Sequence, residues 1–122
     1  MILFVVAGIN SCKKDNLEEL LSEGNGQAIC DVDFTLSYQN DIIPILSANC
    51  YQCHAANVAP FLASGNVLDN YNSLKIYAND GRLVSVINHK PGFPEMPQGA
   101  EKLSDCTISR IETWVNQGTL NN

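Results

Sequence analysis

The sequence predicts a small all-α domain of short helices joined by loops around one core. Three observations carry that expectation. The chain has 122 residues, 45% of them hydrophobic, which is room for one small domain with a thin core. Its clearest periodic segment, "DCTISRIETWVNQG", places Ile108, Ile111, Trp114 and Val115 on one helical stripe. The segments on either side are short and are separated by stretches rich in Pro, Gly and Asn, residues that interrupt helices.

The chain opens on "MILFVVAGINSCKKD", an apolar run from Ile2 to Ile9 followed by Asn10, Ser11 and Cys12. The run is too short to span a bilayer. An apolar stretch that ends in small or polar residues before a cysteine resembles the lipobox of bacterial lipoprotein signal peptides. That resemblance implies cleavage after residue 11 and acylation of Cys12, with residues 12–33 as a lipidated tether. No Lys or Arg precedes the run, so the positively charged start of such a signal is missing and an earlier start is left open. The competing reading is a buried strand or helix over Met1 to Ile9. Lys13, Lys14 and Asp15 suit the solvated start of a tether, and "LEELLSEGNGQ" suggests a brief amphipathic helix ending at Gly24. Several acyl chains together would anchor the protein stably, whereas one binds only marginally. Lys13 after Cys12, by resemblance to lipoprotein sorting rules, points to the periplasmic side of the outer membrane or to the cell surface.

The domain proper is expected over residues 34–122. "SYQNDIIPILSAN", from Ser37 to Asn49, carries Ile42, Ile43, Ile45 and Leu46 and is predicted to be a helix capped by Asn40 or Asp41. Pro44 is tolerable there only in the first turn. "NYNSLKIYAND" and "GRLVSVINHK" predict two further short helices, split by Asn79, Asp80 and Gly81. The last helix begins at a Ser104 cap and stops at Gly118. "AANVAPFLASGNVLDN" and "PGFPEMPQGAEKL" are predicted as loops.

The chemistry is concentrated in "NCYQCHAAN" at positions 49–57. Cys50, Cys53 and His54 form C-x-x-C-H, the attachment signal of a c-type haem. In that chemistry both thiols add across porphyrin vinyl groups while the adjacent imidazole binds the iron. A structural zinc site would need a second ligand pair, and the chain offers none at such spacing. A thioredoxin-like motif needs a βαβ setting, whereas the run before Cys50 reads as helix. A chance match or a plain disulfide stays open. A covalently held haem would also enlarge the thin core by giving side chains an apolar surface to pack on.

Five cysteines are an odd number for an exported chain. With Cys12 lipidated and Cys50 and Cys53 on haem, Cys30 and Cys106 remain as a pair that an oxidising compartment would join. The bridge would close a loop of about 76 residues, for which chain-entropy models assign roughly 4 kcal/mol. Two unconnected buried cysteines are the alternative.

The iron needs a sixth ligand or an open position, and a thioether opposite histidine raises the potential for electron transfer. Met1 is terminal, so Met96 in "FPEMPQG" is the candidate, held between the stiff residues Pro94 and Pro97. His89 is the competitor and would give a bis-histidine haem of lower potential.

Taken together, "DIIPILSANCYQCH", "EMPQG" and "LSDCTISRIETWVNQG", in that order over residues 34 to 120, resemble a class I mono-haem c-type cytochrome, of the short bacterial kind found as lipoproteins. The resemblance implies a small cytochrome c-like fold of short helices wrapped around one haem c, covalently bound. It implies Cys50 and Cys53 as thioether cysteines, His54 as proximal ligand and Met96 as distal ligand. It further implies a proline carbonyl, nearest Pro60, on the proximal imidazole, and Trp114 as an aromatic bordering the haem pocket. More than half of the chain follows His54, unlike gas-binding four-helix cytochromes, whose motif lies near the C-terminus.

The expected function is outer-sphere electron transfer, with no catalytic residue. Seven basic against 13 acidic residues, a net charge of −6, argue against nucleic acid and for redox partner proteins with a basic docking patch. The alternatives are a haem-bearing subunit of a larger membrane respiratory complex and a peroxidase-like haem enzyme.

Overall fold

The computed structural model describes Cys30, Val32 and residues 34–122. The expected signal peptide at 1–11, the lipidated Cys12 and nearly all of the 12–33 tether lie outside the described residues. The described chain is helical, with no strand among its residues. No helix among them is long and apolar enough to cross a membrane.

The first predicted helix forms, but in two parts. A π-helical turn, Tyr38–Ile42, leads into α1, Ile43–Asn49. Pro44 explains the wide turn, because it has no N–H to donate and its ring crowds the carbonyl four residues earlier. The cap is Ser37 rather than Asn40 or Asp41: the Ser37 hydroxyl accepts from the Asn40 N–H, while the Asp41 carboxylate accepts from the Ser37 N–H at 2.7 Å. Three further helices follow, α2 at Tyr51–His54, α3 at Ala59–Leu62 and α4 at Tyr71–Asn79. The helix α3 falls inside a stretch predicted as loop, with Pro60 in its first turn, where a missing N–H costs nothing. Asn70 caps α4 through two backbone N–H groups. Gly81, at φ +82°, makes the left-handed turn into α5, Arg82–Ile87. The last helix, α6 at Asp105–Asn116, has the expected Ser104 cap, and Gly118 ends it at φ +96°.

The core gathers one face of each main helix. Ile42 and Leu46 meet Leu74 and Ala78 of α4, Leu83 and Ile87 of α5, and Ile108, Ile111 and Trp114 of α6. Trp114 is fully buried and stacks on Tyr38, centroids 5.8 Å apart, while Tyr71 meets Tyr38 edge-on at 5.2 Å. Such aromatic pairs add about 1 kcal/mol each beyond their buried area. The Trp114 indole N–H donates to the Leu120 carbonyl, so its one polar atom is satisfied. Trp114 is therefore a core residue, packed against Tyr38. The C-terminal tail returns to the domain's start: the Asn122 side chain accepts from Tyr38 N–H, and the Gln117 side chain bonds both Leu36 N–H and Phe34 C=O.

Cys30 and Cys106 stand paired at disulfide distance, Cα atoms 5.1 Å apart and 76 residues apart in sequence. This is the pairing that the cysteine count favours over two separate buried thiols.

Candidate functional site

The motif turn is short and closes on itself. Cys50 ends α1 and precedes α2, and its carbonyl accepts from both Cys53 N–H at 3.1 Å and His54 N–H at 2.9 Å. One turn of helix thus places Cys50, Cys53 and His54 on the rim of a cavity of about 660 Å³. That volume lies within the roughly 300–1,000 Å³ typical of cofactor sites. Leu68, Leu83, Val86 and Ile87 give the cavity apolar walls, and Met96 lines it from the loop after α5. Sequence-distant residues of the predicted set, His54 and Met96, therefore share one cavity.

His54 is held from two directions. Its Nδ1 lies 2.7 Å from the Asn66 carbonyl, and its own carbonyl accepts from Leu68 N–H at 2.8 Å. A carbonyl only accepts, so Nδ1 carries the proton and Nε2 keeps the lone pair that a metal would take. The acceptor is Asn66, which corrects the expectation of Pro60: Pro60 is committed to the first turn of α3, and the chain passes His54 only after that helix ends. Asn66 is itself fixed, its side chain donating to Ala63 C=O and accepting from the Tyr77 hydroxyl at 3.0 Å. The Arg82 guanidinium covers the Tyr77 ring at 4.4 Å and pairs with Asp80, whose carboxyl it holds below the usual range by hydrogen bonding. Neither Asn66 nor Tyr77 was singled out by sequence, since no local spacing announces which distant carbonyl meets a ring nitrogen.

On the other side of the chain, Met96 N–H donates to Val86 C=O at 3.0 Å. His89 does not line the cavity: its Nε2 donates to the Met96 carbonyl at 3.0 Å, and its Nδ1 lies 3.8 Å from Glu95. His89 thus makes a backbone contact on the Met96 loop.

The alternatives for C-x-x-C-H meet the same geometry. Both motif cysteines are free thiols. Burial pushes the Cys50 thiol up to about 11, the opposite of the depressed thiol that redox C-x-x-C sites use. Among the described residues no three His, Cys, Asp or Glu side chains gather to hold a metal ion, so a zinc site lacks its donor set there. A porphyrin brings its own in-plane ligands and asks the protein only for axial ones. Among the described lining residues Arg82 carries a full charge and no carboxylate does, a charge pattern suited to a group that bears carboxylates. The donor set, the two thiols at the rim and the apolar walls thus fit a covalently bound haem.

Comparison with known proteins finds no matching family model, no matching curated protein and no matching solved structure.

Proposed function

We propose that this chain is a mono-haem c-type cytochrome of cytochrome c-like fold that carries electrons between protein partners. One observation carries the reading: the C-x-x-C-H turn and Met96, far apart in sequence, line the same apolar cavity. Cys50 and Cys53 would tether the haem through thioethers, and His54 Nε2 and the Met96 sulfur would hold its iron. Once bound, the group would supply one-electron chemistry between its ferric and ferrous states. The chain's part is to keep ligands and surroundings unchanged between those states. The Asn66 carbonyl fixes the imidazole and raises its basicity. Leu68, Leu83, Val86 and Ile87 line the cavity with apolar side chains and would keep water from the group, whose ferrous state a thioether ligand would favour.

The carrier has no catalytic residue in this reading. Acylation of Cys12 would hold it at a bacterial membrane, facing the periplasm or the cell exterior. The net charge of −6 favours a basic docking patch on its redox partners. A second reading, a haem-bearing subunit of a larger membrane complex, is favoured by the exposure of Phe61, Leu62 and Phe93, since Leu62 and Phe93 also line the cavity.

The test is the absorption spectrum of the full-length protein made with c-type haem maturation machinery. A c-type reduced spectrum, with a weak far-red ferric band that Met96→Ala abolishes, is the expected result. A protein that matures without covalent haem would sink the proposal.

A further inference from the structure

His89 occupies a place that backbone geometry reserves for glycine. It follows the Asn88 cap of α5 at φ +55°, its N–H bonds to Val86 C=O, and the next N–H, from Lys90, bonds to Ser85 C=O at 3.0 Å. That is the Schellman ending of a helix, in which the left-handed residue is usually Gly because a Cβ is strained there. The chain keeps a histidine at this position; the imidazole Nε2 donates to the Met96 carbonyl at 3.0 Å, and Nδ1 lies farther off, 3.8 Å from the Glu95 carboxylate. The ring is mostly buried, with 19% of the side chain exposed. The same loop residue is bonded a second time, Met96 N–H to Val86 C=O. Both backbone polar groups of Met96 are thus tied to α5 or to the residue that follows its cap, one of them through the His89 side chain.

We propose that His89 is a positioning residue that clamps the Met96 loop against the end of α5 and so presents the Met96 side chain to the cavity. The inference rests on the haem reading above and adds to it the group that keeps the distal ligand in place. The clamp acts through a hydrogen bond to main chain, so any side chain that delivers an N–H at the imidazole Nε2 position should substitute. Glutamine does, at some cost in backbone strain. Glycine relieves the strain and removes the donor. The two substitutions therefore push the backbone effect and the clamp effect in opposite directions.

The experiment titrates imidazole against the ferric, haem-loaded full chain at one fixed pH and follows the far-red band of sulfur ligation. His89→Gly should lose the band at about fivefold lower imidazole than the parent protein, as expected for one lost hydrogen bond. His89→Gln should stay within about twofold of the parent. The clamp is overturned if His89→Gly holds the band as well as the parent, or if His89→Gln is the weaker of the two variants, since strain alone would then govern the loop. A parent protein that binds haem but shows no far-red band overturns the distal role of Met96 itself, and the clamp with it. That failure is read in the parent before any variant.

Discussion

The proton on His54 Nδ1 is placed by a carbonyl that belongs to neither the motif nor its flanks. Asn66 provides it, and Tyr77 holds Asn66 by the hydrogen bond to its side-chain oxygen. Tyr77→Phe should therefore lower unfolding stability by about 1 kcal/mol, the net worth of such a bond, when followed by urea melts of the haem-loaded protein. An unchanged midpoint would mean that Asn66 is fixed by Ala63 alone. The two free cysteines of the motif differ from each other in the folded chain. Cys50 is half-buried and Cys53 exposed. Burial raises the Cys50 thiol from 9.0 to about 11, so in the haem-free chain it is the thiol, not the thiolate, through neutral pH. Because the folded value is the higher, its contribution to stability is intact below pH 9 and is lost as pH climbs toward 11. Thiol labelling of the haem-free chain at pH 8 should accordingly mark Cys53 faster than Cys50, and equal rates would remove the shielding. At this level the sequence is informative where chemistry is local. The spacing of Cys50, Cys53 and His54 needs no tertiary knowledge, and Met96 follows from its being the internal methionine. Asn66 and His89 act through contacts that only the folded chain creates, so neither role is visible beforehand.

Helix ends in this chain are readable for the same local reason. Ser104 caps α6 by accepting from Thr107 N–H, and Gly81 and Gly118 take the positive φ their turns require. Ser104→Ala should cost about 1 kcal/mol in thermal or urea unfolding while leaving the bound-haem spectrum unchanged. A spectral change would show that α6 shapes the cavity, in which it has no lining residue among those described. The stripe Ile108, Ile111, Trp114 and Val115 does face inward, yet a stripe says only that a face is covered and not by what. The partner of Trp114 in that face, Tyr38, lies 76 residues earlier and no stripe names it. The π-helical turn is not legible in the sequence for a related reason: a 3.6-residue period assumes a continuous ladder, and Pro44 breaks it about two turns after the Ser37 cap.

Two devices hold the whole domain closed, and they act on different states of the chain. The tail clasp works in the folded molecule: Gln117 and Asn122 bond the backbone of Phe34, Leu36 and Tyr38, so residues 117–122 and 34–38 are joined without a covalent link. The Cys30–Cys106 pair works on the unfolded chain, restricting a segment whose ends are 76 residues apart. Chain-entropy models assign a loop of that size about 4 kcal/mol, less any strain. Neither cysteine lines the cavity, and α6, which holds Cys106, is also anchored by Ile108, Ile111 and Trp114 in the core. Loss of the bridge should therefore lower stability while sparing the site. Cys30→Ser with Cys106→Ser is expected to reduce the urea midpoint of the haem-loaded protein by an amount worth about 2–4 kcal/mol, with the far-red ferric band and the reduced spectrum unaltered. If the midpoint falls and the band is lost together, the bridge is holding the cavity in shape and the division of labour argued here is wrong. If neither moves, the bridge does not restrict the unfolded chain as the chain-entropy model requires.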